Sequence, residues 1–276
     1  RLPSKNEFFL LQDELENLSK IVNYSNNALI YSKRRMGKSS LIKALYEKYD
    51  KEYICLYTDI FDITSKEDFI SSLLKSLANY NKKFDLKNAI KNLTSLFKRV
   101  RFEPTIDSNT LEYSIKPNIT SLTFEDMIEE FFNSLEQLSK TSKIIIAIDE
   151  FQQIANITDA KIDAILRKYI QNRTNISYIF LGSKRHILTS LFEYKAPLYE
   201  MATHIELKAL RLEDIFDYAK KHIDISFEMC EYLYILSDKE TKLIQQILHL
   251  LYISKTTISS KEQIDLAFEE VINSKD

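Results

Sequence analysis

Apolar residues along this chain switch repeatedly between helical spacing and unbroken runs. From Glu7 to Val22 they recur at Leu11, Leu15, Leu18, Ile21 and Val22, the stripe of one helix face. The polar stretch Asn23–Asn27 ends that pattern, and Ala28–Tyr31 is a short apolar run with the shape of a buried strand. A helix is predicted from about Lys38 to Tyr49, with Leu41, Ile42, Leu45 and Tyr49 on one face. Tyr53–Ile60 is rich in β-formers and reads as a second strand. Thr64 or Ser65 can cap a helix that turns Phe69, Leu73, Leu74 and Leu77 inward. Lys87–Arg101 predicts a further helix with a basic outer face.

Residues 102–119 differ: they alternate, carry Pro104 and Pro117 around a turn-like Asp107-Ser108-Asn109, and predict an inserted hairpin. Thr123 then opens a long amphipathic helix through Phe124, Ile128, Phe131, Phe132, Leu135 and Leu138. Lys143–Phe151 (KIIIAIDEF) is the strongest strand signal, and its continuous apolar run requires burial on both faces. A helix around Asp159–Gln171, a strand at Ile176–Ser183, a short helix at Ile187–Phe192 and a strand with its exit at Thr203–Leu210 follow. Beyond Leu212 the pattern predicts only helices, over about 212–222, 226–237, 241–253 and 261–273.

Strands alternating with helices predict an α/β fold, a parallel sheet with helices on both faces. The expected division is a core over 1–208, holding the hairpin near 102–119, and an all-helical lid subdomain over 209–276. Opening on Arg1 is compatible with a segment upstream. With 276 residues and a formal net charge of −2, the chain can bury a full core but has no general electrostatic grip on nucleic acid or an acidic membrane. Cys55 and Cys230 lie far apart in apolar runs, as expected of buried free thiols in a reducing cytoplasm. The four histidines have no metal spacing, and no run is long enough to span a membrane. Only two glycines occur, Gly37 and Gly182, in a composition consistent with AT-rich codon drift. Both fall at predicted strand ends, where a surviving glycine marks backbone that must come close to something.

The segment Ser32-Lys-Arg-Arg-Met-Gly-Lys-Ser39 follows a buried strand and opens a helix. That context separates a phosphate-binding loop from a chance Gly-Lys-Ser. Its expected ligand-facing residues are Ser32, Arg34, Arg35, Met36, Gly37, Lys38, Ser39 and Ser40. Gly37 permits close backbone approach, Lys38 reaches the β- and γ-phosphates, and Ser39 ligates Mg2+. A lysine at a helix start opposes the helix dipole unless an anion is bound. Asp149 and Glu150 end the strongest strand, at the carboxyl edge where parallel sheets bind ligands. Asp149 suits a contact to Mg2+ and its waters, and Glu150 suits polarising an attacking water. Ser183, at another strand end, can sense a γ-phosphate or hold that water, or simply close a turn. Arg34, Arg35 or Arg185 could add positive charge there, although solvated surface arginine accounts for each as well.

The pieces Arg34-Arg-Met-Gly-Lys-Ser-Ser-Leu-Ile42, Ile146-Ala-Ile-Asp-Glu-Phe-Gln-Gln-Ile154, Phe180-Leu-Gly-Ser183 and Lys195-Ala-Pro-Leu-Tyr-Glu200 occur in that order. In this the chain resembles the archaeal-type ATPases, AAA+-related P-loop proteins close to the STAND class. The resemblance implies an AAA+-like P-loop sheet, ATP as the nucleotide, and a helical lid that responds to it. Three departures bear on activity: Leu10 and Leu11 stand where the family has Gly-Arg, Ser32 replaces the loop's first glycine, and Glu200-Met201 replace a second Gly-Arg. Lost arginines point to slow hydrolysis or to the use of different arginines. Three readings follow: a slow ATPase acting as a switch, a non-hydrolysing scaffold of the same fold, or a DNA-associated ATPase. The partners expected are the nucleotide and either another protein or a second copy of the chain.

Overall fold

A computed structural model describes residues 11–81, 92–106, 113–118, 122–171, 174–254, 257–258, 260 and 261–274. Its main sheet has five strands in the order β2-β5-β6-β1-β7. They are β1 (Ala28–Tyr31), β2 (Ile54–Asp59), β5 (Ile144–Asp149), β6 (Ile176–Gly182) and β7 (Thr203–Glu206). β2 runs parallel to β5, β5 to β6, and β6 to β1. Every residue of β1, β5 and β6 is buried, as their unbroken apolar runs require. β2 alternates between buried and less buried positions and lies at the sheet's edge.

The helices are α1 (Gln12–Asn23), α2 (Lys38–Tyr49), α3 (Lys66–Asn81), α4 (Phe124–Ser139), α5 (Ile162–Ile170) and α6 (Arg185–Ser190). The C-terminal region carries α7 (Leu212–Ala219), α8 (Phe227–Leu236), α9 (Thr241–Ser254) and α10 (Lys261–Asn273). Capping fixes several starts. Thr123 and Asp126 form a reciprocal capping box on α4. At α3, the Asp68 N–H donates to Ser65 Oγ at 3.1 Å, and Asp68 Oδ2 accepts from the Ser65 N–H at 3.0 Å.

Contacts resolve the chain into two compact units. One holds the described residues of Arg1–Glu16 with Ser32–Ala44 and Glu206–Asp276; the other holds Asn17–Tyr31 and Leu45–Ile205. The second has a continuous core in which Leu29, Ile146 and Phe180 from the sheet join Phe69, Leu73, Phe131 and Phe132 from its helices. The stretch expected as a hairpin carries β3 (Arg101–Ile106) and β4 (Tyr113–Asn118), paired antiparallel with Phe102 opposite Pro117. Their turn lies outside the described residues. Prolines are tolerated here because the two-stranded sheet has only edge strands. Phe102 and Ile115 anchor the pair in the core.

Two predicted boundaries shift. The helix expected over Lys87–Arg101 is helical at 92–96, with 87–91 outside the described residues, and Arg101 already belongs to β3. The nearly buried carboxylate of Glu130 accepts from the Lys98 N–H at 2.7 Å and the Arg99 N–H at 3.3 Å, giving those amides partners outside a helix. The strand expected through Phe151 stops at Asp149, because Glu150 takes a left-handed backbone (φ 54°, ψ 37°) and Phe151–Asn156 winds into a 3₁₀ helix.

Tyr46, on α2, reaches the β2–β5 ladder: its hydroxyl donates to the Leu56 carbonyl and accepts from the Ala147 N–H at 3.1 Å. Burial, foremost, holds its proton well above the usual tyrosine range. Among the described residues no helix is long and apolar enough to cross a membrane.

Both cysteines are free thiols: Cys230 is buried on α8, whereas Cys55 is only half-buried because it falls on the less covered face of β2. Burial pushes the Cys230 thiol from 9.0 up to about 11. Its neutral form is favoured in the folded state, so its contribution to stability is complete below pH 9 and is lost as pH rises toward about 11. Urea unfolding across that window should show a shallower alkaline loss in Cys230→Ala than in wild type, whatever the offset between them.

Candidate functional site

The carboxyl ends of the parallel strands bring four residues to one edge of the sheet. Asp59 pairs with Asp149 across β2 and β5, and Tyr31 pairs with Gly182 across β1 and β6. The segment after Tyr31 therefore leaves from the edge that carries the acids. It runs directly into α2, whose N-terminus presents N–H groups and the positive end of the helix dipole.

Within this loop Gly37 has φ +97°, which L side chains rarely adopt, and a Cβ there would sit 3.3 Å from Leu11 Cδ1. Leu11 is buried, so an apolar side chain lies against the loop at the position where the family resemblance expects arginine. Leu10 is outside the described residues. Lys38 is buried. Its ammonium donates to Ser32 Oγ at 3.1 Å, the Lys33 carbonyl at 3.2 Å and the Ser32 carbonyl at 3.4 Å. These oxygens offset the cost of a cation at a helix start. The serine in the first-glycine position thus supplies two of the lysine's acceptors. Met36 is buried, Ser40 half-buried, and Arg34, Arg35 and Ser39 exposed.

The loop is tied to the C-terminal helices of its own unit. The Lys242 N–H donates to the Arg35 carbonyl at 3.1 Å. Lys33 pairs with Asp238 and Arg35 with Glu240, each at 3.4 Å. Exposed ion pairs of this kind contribute little, so the backbone hydrogen bond is the firmer link. Arg35 is itself left-handed, φ 64°.

On the other unit, Asp149 is buried at the end of β5. Its Oδ2 accepts from Tyr57 Oη at 2.7 Å and its Oδ1 from the Glu150 N–H at 2.9 Å. Glu150 is half-buried; Ser183 Oγ donates to it at 3.0 and 3.3 Å, and Gln152 Nε2 donates to its Oε2. Ser183 and Glu150 are thus brought together, with the hydroxyl directed at the carboxylate. Asp59 is raised above the usual carboxylate range by burial first, then by the charges of Asp149, Glu150 and Asp62, against a stabilising Phe61 N–H. Three acids at one edge make it a cation-attracting surface. Arg185 is exposed and lies over the Tyr31 ring, 5.0 Å from its centroid. Met201, at the second expected arginine position, is half-buried against the core.

No group of three His, Cys, Asp or Glu side chains able to hold a metal is found among the described residues. The donor set here is hard oxygen, the class that Mg2+ prefers. Tyr57 and Asp59 were not legible as site residues; the only signal was their place at the end of the strand that precedes the acidic pair. Gln152 was legible as part of the Asp149–Gln152 motif, but not its contact with Glu150.

Gly37→Ala combines an unfavourable φ with contact to Leu11. Urea unfolding should show it destabilised by more than about 1 kcal/mol, and Leu11→Ala should restore only the crowding part of that loss.

Three solved structures share the fold. A Walker-type ATPase of Pyrococcus abyssi superposes with a TM-score of 0.65 at 17% identity, covering 96% of this chain and 72% of that one. The Aeropyrum pernix ORC2 protein, solved as ADPNP–ADP complexes, gives 0.62 at 13% identity, over 96% of this chain and 68% of its own. The Aeropyrum pernix ORC1 protein in complex with DNA gives 0.61 at 11% identity, over 95% and 65%. No curated protein is significantly similar in sequence. A family model described as an ATPase domain predominantly from Archaea matches residues 8–247, nearly the whole chain. With a phosphate loop opening α2 and an acidic pair closing β5, the chain belongs to this family of archaeal P-loop ATPases.

Proposed function

We propose that the chain binds Mg-ATP through the loop Ser32–Ser40, hydrolyses it slowly, and uses loop occupancy as a switch read by its C-terminal helices. Lys38 exchanges its loop oxygens for β- and γ-phosphate oxygens, while the N–H groups from Gly37 onward cradle the phosphates. Ser39 and Asp149 would hold the Mg2+, which would neutralise phosphate charge when bound. Glu150 orients the attacking water and takes up its proton at a carboxylate oxygen, and Ser183 keeps that carboxylate in place. Slow turnover is supported by Leu11 and Met201, neither of which can offer a cation to the phosphates.

The observation that carries the switch is the hydrogen bond from the Lys242 N–H to the Arg35 carbonyl. It joins the phosphate loop to the start of α9 inside one compact unit. A loop that tightens on phosphate moves Arg35, and α9 is the first element to feel it. Protein partners or a second copy of the chain would read the helices; ATP rather than GTP follows from the family.

A second reading, a scaffold that binds nucleotide without hydrolysing it, is favoured by the apolar Leu11 against Gly37. Association with DNA has a fold neighbour solved with DNA behind it but no net positive charge to drive it.

Steady-state hydrolysis and equilibrium binding of ATP and GTP, with and without Mg2+, separate these readings. Lys38→Ala should lose ATP binding. Glu150→Gln should keep binding while turnover falls by about 100-fold or more. ATP should slow amide exchange in α9 of wild type but not of Lys38→Ala. Wild-type turnover no higher than that of Lys38→Ala would leave the scaffold reading standing in place of the enzyme. DNA affinity that falls steeply with salt would establish the third reading.

A further inference from the structure

Gly182 and Gln152 compete for one space. A Cβ at Gly182 would lie 2.1 Å from Gln152 Oε1 and 3.0 Å from Leu188 Cδ2. The glutamine amide therefore fills the place where any other residue at 182 would put its side chain. Gln152 is 3% exposed, on the 3₁₀ turn that follows Glu150. Its Nε2 donates to Glu150 Oε2, and its Oε1 is buried with no hydrogen-bond donor.

This arrangement is costly in three ways at once. A buried amide oxygen goes unpaired. Glu150 holds a left-handed backbone that non-glycine residues avoid. Residue 182 is glycine inside a strand, where glycine packs nothing, and a side chain there would have to displace the Gln152 amide. All three serve a single result. The left-handed turn at Glu150 brings Gln152 back beneath the strand end, Gly182 makes room for its amide, and the amide points its N–H at the carboxylate. The opposite amide orientation would set oxygen against carboxylate oxygen.

We infer that Gln152 is the positioning residue for Glu150, and that Gly182 is glycine because it seats the Gln152 amide. The inference rests on the reading of Glu150 as the group that takes the water's proton. Ser183 donates its single proton to the same carboxylate, nearest to Oε2, so two side chains from separate segments hold it. A carboxylate held in this way loses less orientational freedom on reaching the transition state.

Gln152→Met keeps the length of the side chain and removes both amide groups. Its kcat for ATP should fall about 10- to 100-fold, with KM within about twofold of wild type. Its melting temperature should not drop, since the unpaired oxygen goes with the amide. A Gln152→Met protein that hydrolyses ATP within about twofold of wild type, while Glu150→Gln is inactive, overturns the positioning role. Full turnover in Glu150→Gln instead overturns the reading of Glu150 itself.

The seat is tested without turnover. Gly182→Ala should lower the melting temperature in the wild-type background and less in Gln152→Ala, where the amide is gone and only the Leu188 contact remains. Equal losses in both backgrounds would show that Gly182 serves something other than Gln152. This melting comparison holds equally for a chain that binds ATP without hydrolysing it.

Discussion

Six consecutive buried residues from Ile144 to Asp149 leave β5 no water to satisfy its backbone. Its N–H and C=O groups must pair along both edges, and β2 and β6 do so. That requirement orders the sheet. It puts Asp59 beside Asp149 and carries Gly182 and the end of β1 to the same edge. The site is the place where the ladder stops: past Asp149 no strand pairing remains, and the chain spends its next residue on a left-handed turn.

The loop meets a different constraint. It must keep an ammonium at the positive end of a helix. Lys38 does so by folding back on the Ser32 and Lys33 oxygens, and a serine in place of the family's first glycine adds a hydroxyl to that set. Ser32 is therefore more than a tolerated replacement. Phosphate oxygens have to compete with the loop's own acceptors for the same three N–H donors.

What the sequence revealed follows from how local each signal is. The buried strands were legible because a continuous apolar run has one solution in a parallel sheet. The loop was legible because strand, Gly-Lys-Ser and helix come in contiguous order. Scarce glycine helped: both survivors sit where a side chain is disfavoured, Gly37 for its φ and Gly182 for the amide beneath it. The contacts that shape the acidic pair were not legible. Tyr57 lies 92 residues from Asp149, and Ser183 lies 33 from Glu150. The apolar run carries the predicted end of β5 two residues too far, because no propensity marks glutamate for a left-handed backbone. The helix expected to reach Arg101 gave way to a strand for a similar reason, a carboxylate from α4 that takes the Lys98 and Arg99 amides.

The phenol of Tyr46 has a mechanical consequence. Edge strands ordinarily fray first, and β2 is an edge strand. Here a helix side chain enters the ladder and bridges the Leu56 carbonyl to the Ala147 amide. For β2 to peel from β5, the bridge from the C-terminal half of α2 has to break as well. Edge strand and helix are thereby coupled, and the exchange rate of a single amide proton, that of Ala147, is a gauge of how firmly Tyr46 ties the helix to the sheet.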